Sequence, residues 1–366
     1  MKKTIKVISL VLLFSFAASC LFSCKGNGGE RYSNKEKFTQ TFYEYFDTVT
    51  TVVGYAESKG EFLRVLDVIE ARFSEYHKLY DAYNSSLDPE YEKSYAGITN
   101  IKDINALVNG KHIERKVDKK IIDLLLYSKE VYELTNGETN IAMGSVLSLW
   151  HNERDKAAKD PTLASVPTEE ALRQAAEHTD INDIIIDTEN STVFLSDPEM
   201  TIDVGAVAKG YATERIIREL ESMGIVGYAI SAGGNVSAIG TKPNGQKWSI
   251  GIENPLDPLG EYVEKLSIEN KSVVTSGSYQ RFYTVGGKRY HHIIDKDTLY
   301  PSEYFISVSV ITKDSALADA LSTALFSMPL DAGLQFVEGM SGVEAIWVMS
   351  DGTKHTSSGF EAFIFK

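Results

Sequence analysis

The sequence is poor in cysteine and has no excess of positive charge, and each shortage excludes a class of protein. Only two of the 366 residues are cysteines, Cys20 and Cys24, so the rest of the chain has no thiol for a disulfide, a metal cluster or nucleophilic catalysis. With 51 acidic and 37 basic side chains, the formal net charge is −14, which argues against nucleic acid or an anionic membrane surface as the main partner. The composition, 43% apolar and 24% charged, is that of a globular protein.

Long hydrophobic runs are also missing, except at the N-terminus. Three lysines within the first six residues precede an uncharged apolar run over 7–22. A membrane-spanning helix needs about 20 apolar residues, so the run fits the hydrophobic region of an export signal better than the alternative, an uncleaved anchor. It ends in Leu21-Phe22-Ser23-Cys24, which is similar to a lipoprotein processing site with Cys24 as the lipidated residue. Cys20, after Ala17-Ala18-Ser19, is the second candidate.

These features predict three parts of the chain. We expect a signal peptide over 1–23, a flexible tether over 24–37 and one folded domain over 38–366. The protein would then be exported and lipid-anchored to the outer face of the cell membrane, which is the periplasmic side in a Gram-negative cell. No proline- or serine-rich linker divides the domain, which favours two interlocked lobes, and the polar segment 151–180 has the composition of an insertion or a helical arm.

The hydrophobic pattern of the domain predicts an α+β fold. The segment 48–56 is rich in β-branched residues and predicts a strand, whereas apolar residues at helical spacing predict helices over 61–80 and 118–134. Further short strands are expected at 184–186, 192–195, 226–231, 236–240, 247–252, 281–285, 289–294 and 305–312. Many short strands, several of them in hairpins, indicate mixed or antiparallel sheets with flanking helices.

The segment 201–211 predicts a turn that opens a helix. Asp203 and Gly205 precede apolar residues at helical spacing, and the start of such a helix offers free backbone N–H groups to a phosphate. Lys209 can add a point charge to the same anion. A phosphate-binding P-loop is excluded because Gly210 is followed by Tyr211 instead of Lys-Ser or Lys-Thr. The structural alternative is an ordinary helix capped by an aspartate.

Two later segments have weaker signals. Gly233 and Gly234 follow a predicted strand and would let a ligand approach the backbone, although an ordinary hairpin turn explains them equally well. The strand around His291 and His292 places the two imidazoles on opposite faces, so we expect one to face a site and the other to face solvent. A histidine in a site can act as general base for a hydroxyl nucleophile, while a structural role is the alternative.

The predicted helix over 314–328 carries oxygen ligands on one face. Asp319 and Thr323 are separated by one turn, with Ser322 beside them, while leucines form the core stripe on another face. A carboxylate and a hydroxyl among small residues suit a hard cation such as Mg²⁺ bound next to substrate phosphates. The alternative is an exposed aspartate with no ligand.

Taken together, these motifs and their order resemble the ApbE-type flavin transferases, a family also labelled as thiamine-biosynthesis lipoproteins. The resemblance extends over the mature chain from about Tyr43. The matching segments are Asp203 to Tyr211, Gly233 to Val236, Thr275 to Tyr279, His291 to Asp295 and Ala318 to Ala324. The resemblance implies an ApbE-like fold related to the T-fold. It also implies Mg²⁺-dependent transfer of FMN from FAD to a threonine or serine hydroxyl of an acceptor flavoprotein, with release of AMP. The implied acceptors are subunits of membrane redox complexes.

The resemblance also implies a role for individual residues. His292 would be the base for the acceptor hydroxyl, and Asp203 would join it in catalysis. The implied FAD contacts are Phe46, Tyr76, Glu138, Thr139, Asn140, Asp203, Lys209 and Ile293. The implied metal ligands are the Ala206 carbonyl, Asp319, Ser322 and Thr323.

The chain departs from the family pattern at three places. The usual Met-Gly-Thr is Phe46-Asp47-Thr48, and the usual Phe-Asp or Met-Asp is Thr139-Asn140. The usual Asp-Pro-x-Thr-Gly-Tyr-Pro has Lys296 for the first proline and Leu299 for the glycine, which implies a changed turn. The phosphate and metal segments are intact, so the reaction type is retained better than the fine specificity.

Two other functions are compatible with the same motifs. A surface FAD pyrophosphatase would use the same FAD and Mg²⁺ with water as the acceptor. A lipid-anchored flavin-binding protein without turnover would keep the FAD contacts only. Asp319 and Thr323 argue against the second, because simple retention of a flavin does not need a metal at the pyrophosphate.

Overall fold

An eight-stranded antiparallel sheet forms the centre of the protein. The computed structural model describes residues 34–83, 93–257 and 260–366, so Cys24, the predicted signal peptide and most of the predicted tether lie outside the described residues. Residues Asn34–Lys366 form one compact unit. The described helices include none that is long and apolar enough to cross a membrane.

The strands are short and mostly follow each other in hairpins. They are β1 Glu36–Phe42, β2 Thr50–Ala56, β3 Arg115–Lys116, β4 Ile184–Asp187, β5 Thr192–Leu195, β6 Tyr228–Ala232, β7 Asn235–Ile239, β8 Trp248–Ile252, β9 Glu264–Ile268, β10 Lys271–Gly277, β11 Phe282–Val285, β12 Lys288–His291, β13 Ser307–Thr312, β14 Glu344–Val348 and β15 Lys354–Thr356. The main sheet has the order β1-β2-β6-β7-β10-β13-β14-β15, and every neighbouring pair in it is antiparallel. The remaining described strands form three small sheets, β3-β5-β4, β8-β9 and β11-β12.

The helices connect these strands. They are α1 Lys59–Tyr80, α2 Ile101–Asn105, α3 Lys119–Leu134, α4 Gly144–Lys159, α5 Glu169–Ala176, α6 Ala208–Ser222, α7 Ser315–Ser327 and α8 Leu330–Glu338. Polar side chains cap several of them: Ser58 accepts from the Glu61 N–H at the start of α1, and Asp314 accepts from the Leu317 N–H at the start of α7.

The two faces of the main sheet are covered by different layers. In β2 and β13, successive side chains alternate between the faces: Val52 and Val310 pack under the helices, whereas Val53 and Ile311 pack under the β8-β9 hairpin. Every residue of β13 is buried, as expected for a central strand covered on both sides. The predicted α+β class, with antiparallel sheets and flanking helices, is therefore confirmed.

Two predicted boundaries need correction. Strand β1 begins at Glu36, so the last residues assigned to the tether belong to the main sheet. The segment predicted as a polar insertion or arm contains most of α4 and all of α5, with Leu172 buried in it. Together with Trp150, these helices pack against Tyr283 of β11. Apolar residues of this segment thus cover one side of the β11-β12 hairpin.

Candidate active site

The turn before α6 is held by Asp203, as the sequence predicts. Its Oδ1 accepts a hydrogen bond from the Gly205 N–H at 2.7 Å, and its own N–H donates to the Ile141 carbonyl at 2.8 Å. The helix begins three residues after Gly205. The second carboxylate oxygen of Asp203 accepts from the Tyr83 hydroxyl at 2.5 Å.

Tyr83 is a site residue that sequence reasoning missed. Its ring stacks on the imidazole of His151, with centroids 4.0 Å apart and planes 8° from parallel, although the side chain is 38% exposed. Protein atoms around the ring and the charge of Asp203 raise the pKa of Tyr83, so its hydroxyl stays protonated and donates. The sequence signal was a tyrosine shortly after a predicted helix, which by itself does not indicate binding.

Asp319 is a buried carboxylate at the contact between α6 and α7. It is 4% exposed, its Oδ2 accepts from the Gly210 N–H at 2.7 Å, and its Oδ1 lies 3.2 Å from Lys209 Nζ. A charge-assisted bond and an ammonium partner offset the cost of burying this carboxylate. The structure thus brings together Lys209 and Asp319, which the sequence analysis placed in separate motifs.

Gly210 lets the two helices approach. A Cβ at this position would lie 2.3 Å from Asp319 Cβ and 2.5 Å from the Ser315 carbonyl oxygen. Because its N–H donates to Asp319, it does not make the helical bond to the carbonyl four residues earlier, that of Ala206. The Ala206 carbonyl oxygen therefore keeps its capacity to bind another partner.

Hydroxyl groups extend this centre. Ser322 Oγ donates to the Asp319 carbonyl at 2.9 Å and lies 2.8 Å from Ser276 Oγ, which is 3.5 Å from Thr323 Oγ1. Ser276, at the end of β10, belongs to a segment that carried the family resemblance, but it was not singled out as a ligand.

The oxygen atoms around Asp319 are of the kind that magnesium binds. In the described parts of the chain, no three His, Cys, Asp or Glu side chains converge to hold a metal ion. The group instead offers one carboxylate, hydroxyl oxygens and the Ala206 carbonyl. Mg²⁺ commonly binds proteins through one or two carboxylates, with water and substrate phosphates filling its other positions. The residues present are therefore compatible with the predicted magnesium site.

His292 is held in one tautomer by Arg281. The Arg281 carbonyl lies 3.2 Å from His292 Nδ1 and also accepts the backbone N–H of His292. Since a carbonyl only accepts, Nδ1 carries the proton and Nε2 keeps its lone pair. Desolvation and the positive charge of Arg281 lower the pKa of His292 to about 3, so the ring is neutral at physiological pH.

The expectation that the other imidazole faces solvent is wrong. His291 is buried, its Nε2 lies 2.8 Å from the Ser302 carbonyl, and its ring meets the edge of Phe326. Strand β12 ends at His291, so simple alternation does not continue to His292. His291 fixes the path of the chain on the N-terminal side of His292.

Arg281 also links the turn between β1 and β2 to this region. Its guanidinium donates to the carbonyls of Phe46 and Asp47, both at 3.3 Å. Phe46 and Asp47 have φ of 55° and 50°, the left-handed region that favours glycine and that aspartate tolerates better than most residues. Asp47 thus takes the conformation expected of the family's glycine, and the Phe46 ring packs on His77.

The predicted FAD contacts at 138–140 have protein partners. Thr139 Oγ1 donates to the Ala320 carbonyl at 2.9 Å, and Asn140 accepts from the Ala142 N–H while donating to the Thr179 carbonyl. Glu138 lies 3.4 Å from Lys296 Nζ, and burial raises the pKa of Glu138. Asn140 and Lys296 line a cavity of about 300 Å³.

Two other predicted FAD contacts belong to the core. Tyr76 is 6% exposed and stacks on Tyr80 on a face of α1 directed toward Arg215, whereas the next residue, His77, is the one that contacts Phe46. Ile293 is buried, and its carbonyl accepts from the Ser302 N–H. The side chains of Tyr76 and Ile293 therefore lie in the protein interior.

The Gly233-Gly234 segment is the turn of the β6-β7 hairpin. Both glycines have positive φ, 54° and 87°, as a two-residue hairpin turn requires. A Cβ on Gly233 would lie 2.0 Å from Thr48 Oγ1. Close contact with the turn that holds Phe46 explains this glycine without a ligand.

Comparison with known proteins gives the family of this chain. Residues 46–347 match the ApbE family. A FAD:protein FMN transferase of Klebsiella pneumoniae is 31% identical over 68% of this chain and 74% of its own, and one of Treponema pallidum is 31% identical over 66% and 69%. The crystal structure of the ApbE protein from Thermotoga maritima, at 25% identity, superposes with a TM-score of 0.76 and covers 90% of this chain and 100% of that chain. The chain therefore belongs to the ApbE family.

Proposed function

We propose that this protein is an FAD:protein FMN transferase that moves FMN from FAD to a threonine or serine hydroxyl of an acceptor flavoprotein and releases AMP. The names of the relatives from Klebsiella pneumoniae and Treponema pallidum support the activity. The observation that carries the proposal is the pairing, within one chain, of a neutral His292 with an oxygen-lined centre at Asp319. Phosphoryl transfer to a hydroxyl needs both a base and positive charge at the phosphates.

His292 acts as the general base in this proposal. Its Nε2 takes the proton of the acceptor hydroxyl, and that oxygen bonds to the phosphorus attached to riboflavin. The bond from that phosphorus to the bridging oxygen breaks, and AMP leaves with the electron pair. The pKa of about 3 belongs to the ligand-free site. The phosphate charges of bound FAD would offset Arg281 and raise the pKa of His292 toward a useful value.

The chain's own cations and the magnesium ligands would hold the pyrophosphate. Lys209 and the start of α6 orient it, and Asp203 together with Tyr83 borders the same turn. Asp319, Thr323 and the Ala206 carbonyl would hold Mg²⁺, with the Ser322 hydroxyl maintaining the helix beside them. When bound, Mg²⁺ supplies positive charge that stabilises the departing phosphate oxygen.

Export and a lipid anchor at Cys24 complete the proposal. Their support is the N-terminal sequence pattern, and membrane redox complexes outside the cytoplasm would supply the acceptors. Metabolic labelling with palmitate tests the anchor: the wild-type chain should take up the label and a Cys24→Ala variant should not. Equal labelling of the two would contradict lipidation at Cys24.

The test of the activity is an incubation of the purified chain with FAD, Mg²⁺ and an acceptor flavoprotein domain. An acceptor mass gain equal to FMN supports transfer. FMN and AMP without that gain indicate a pyrophosphatase, and unchanged FAD would refute both enzyme functions.

A further inference from the structure

The β11-β12 hairpin lies in the chain between Arg281 and His292, the residue that we propose as the base. Arg281 precedes β11 and His292 follows β12. The Arg281 carbonyl accepts hydrogen bonds from the backbone N–H and from Nδ1 of His292. The two strands are joined by Gly286 and Gly287, whose φ values of 57° and 82° suit a tight two-residue turn. No third strand joins this sheet in the part of the chain that the structure describes.

The two faces of the hairpin differ. Tyr283 and Tyr290 lie on the inward face and pack against Trp150 of α4. Phe282 and Arg289 lie on the outward face, where both are exposed and the guanidinium sits 4.8 Å above the phenyl ring. Phe282 is 37% exposed, so an apolar side chain of a partner can pack against the part of its ring that Arg289 leaves open.

The charge of the hairpin is opposite to that of the protein. Residues 281–292 include three cations, Arg281, Lys288 and Arg289, and no acid, in a chain of net charge −14. Lys288 pairs with Glu303 at 2.7 Å. Across the described residues, no carboxylate pairs with Arg289. Its charge is therefore available to a partner.

Exposed apolar side chains continue the surface on the other side of Arg281. The turn whose carbonyls Arg281 holds carries Tyr43 and Val49, which are 60% and 37% exposed. Arg281 thus connects the turn that carries these residues with His292, which its carbonyl contacts.

We propose that the outward face of the β11-β12 hairpin is the docking surface for the acceptor protein, and that its occupant is an extended acidic segment carrying the target hydroxyl. The inference rests on the proposed transferase function. A carboxylate of the acceptor pairs with Arg289, and an apolar side chain packs beside it on Phe282. Docking there delivers the hydroxyl to His292 Nε2.

Charge reversal at Arg289 tests this proposal. Transfer to an acceptor domain is measured with Arg289→Glu and with Arg64→Glu, an exposed arginine on α1 that serves as the matched control. We expect Arg289→Glu to raise the KM for the acceptor about tenfold and to reduce its salt dependence, with kcat at saturating acceptor unchanged. Phe282→Ser should also raise this KM, while FAD binding, followed by flavin fluorescence, stays at the wild-type level in both variants.

The outcomes separate the docking surface from the reaction. If the wild-type chain binds FAD but never modifies an acceptor, the transferase function and the docking proposal both fail. If the wild-type chain transfers FMN and Arg289→Glu has the same acceptor KM as Arg64→Glu, the reaction stands and the hairpin is not the docking surface. If Arg289→Glu weakens FAD binding by the same factor by which it raises the KM for the acceptor, the proposal is also overturned.

Discussion

Replacement of Gly210 by alanine tests how the α6-α7 contact builds the site. The new Cβ would lie 2.3 Å from Asp319 Cβ and 2.5 Å from the Ser315 carbonyl oxygen, whereas carbon atoms in contact are about 3.5–4.0 Å apart. The obstructing carbonyl is backbone, so no side-chain rotation can relieve the clash. The helices must separate by about 1 Å, and the 2.7 Å bond from the Gly210 N–H to Asp319 must lengthen.

The expected cost follows from three contributions. Overpacking of this kind costs about 1–3 kcal/mol. A weakened hydrogen bond to a charged group costs about 1.5–3 kcal/mol. The helix propensity of alanine returns about 1 kcal/mol. Gly210→Ala should therefore lower the free energy of unfolding by about 1.5–5 kcal/mol.

Urea unfolding measures this change, and the chain provides a matched control. Gly60 also lies in a helix, and the nearest atom to its added Cβ is Ser58 Oγ at 3.9 Å. Gly60→Ala should stabilise the protein by about 0.5–1 kcal/mol. If both alanine variants unfold at the same urea concentration, the close contact between α6 and α7 at Gly210 does not exist.

Three further predictions concern the carboxylate, the base and pH. Asp319→Ala should abolish Mg²⁺-dependent turnover with the fold retained by circular dichroism; undiminished turnover would remove the metal site. His292→Ala should lower kcat about 10²- to 10⁴-fold with FAD binding unchanged, and equal loss of both would make it a binding residue. The pKa of His178 is raised by its hydrogen bond to Asp197, so its stabilisation is full below the unfolded pKa of 6.5 and is lost as pH rises through the folded value. Unfolding of wild type and His178→Gln should accordingly differ most at low pH, and a difference that grows with pH would contradict this sign.

The local elements of the fold were predictable because their patterns are local. The helices over 59–80 and 119–134 and the β4-β5 hairpin follow directly from apolar spacing and turn residues. Strands β1, β3, β9, β10, β14 and β15 were not predicted, although part of β10 carried the family resemblance. The place of β10 between β7 and β13 depends on pairing with residues far away in the chain, which periodicity does not encode.

The candidate site shows the same division. Asp203, Lys209, Asp319 and Thr323 were predicted from spacing and resemblance, but the contact between Lys209 and Asp319 crosses from one helix to another. Neither the bond from Gly210 to Asp319 nor the stack of Tyr83 on His151 has a signature along the sequence. Gly210 has a phosphate-loop appearance in sequence and a packing function in the structure.

Intact mass spectrometry of the acceptor measures the transfer of FMN to a hydroxyl directly. The full chain is incubated with FAD, Mg²⁺ and an acceptor domain, and with the same domain carrying valine in place of its target threonine. A mass gain of one FMN on the threonine form alone is the predicted result. Release of FMN and AMP with no gain on either form would contradict the proposed function.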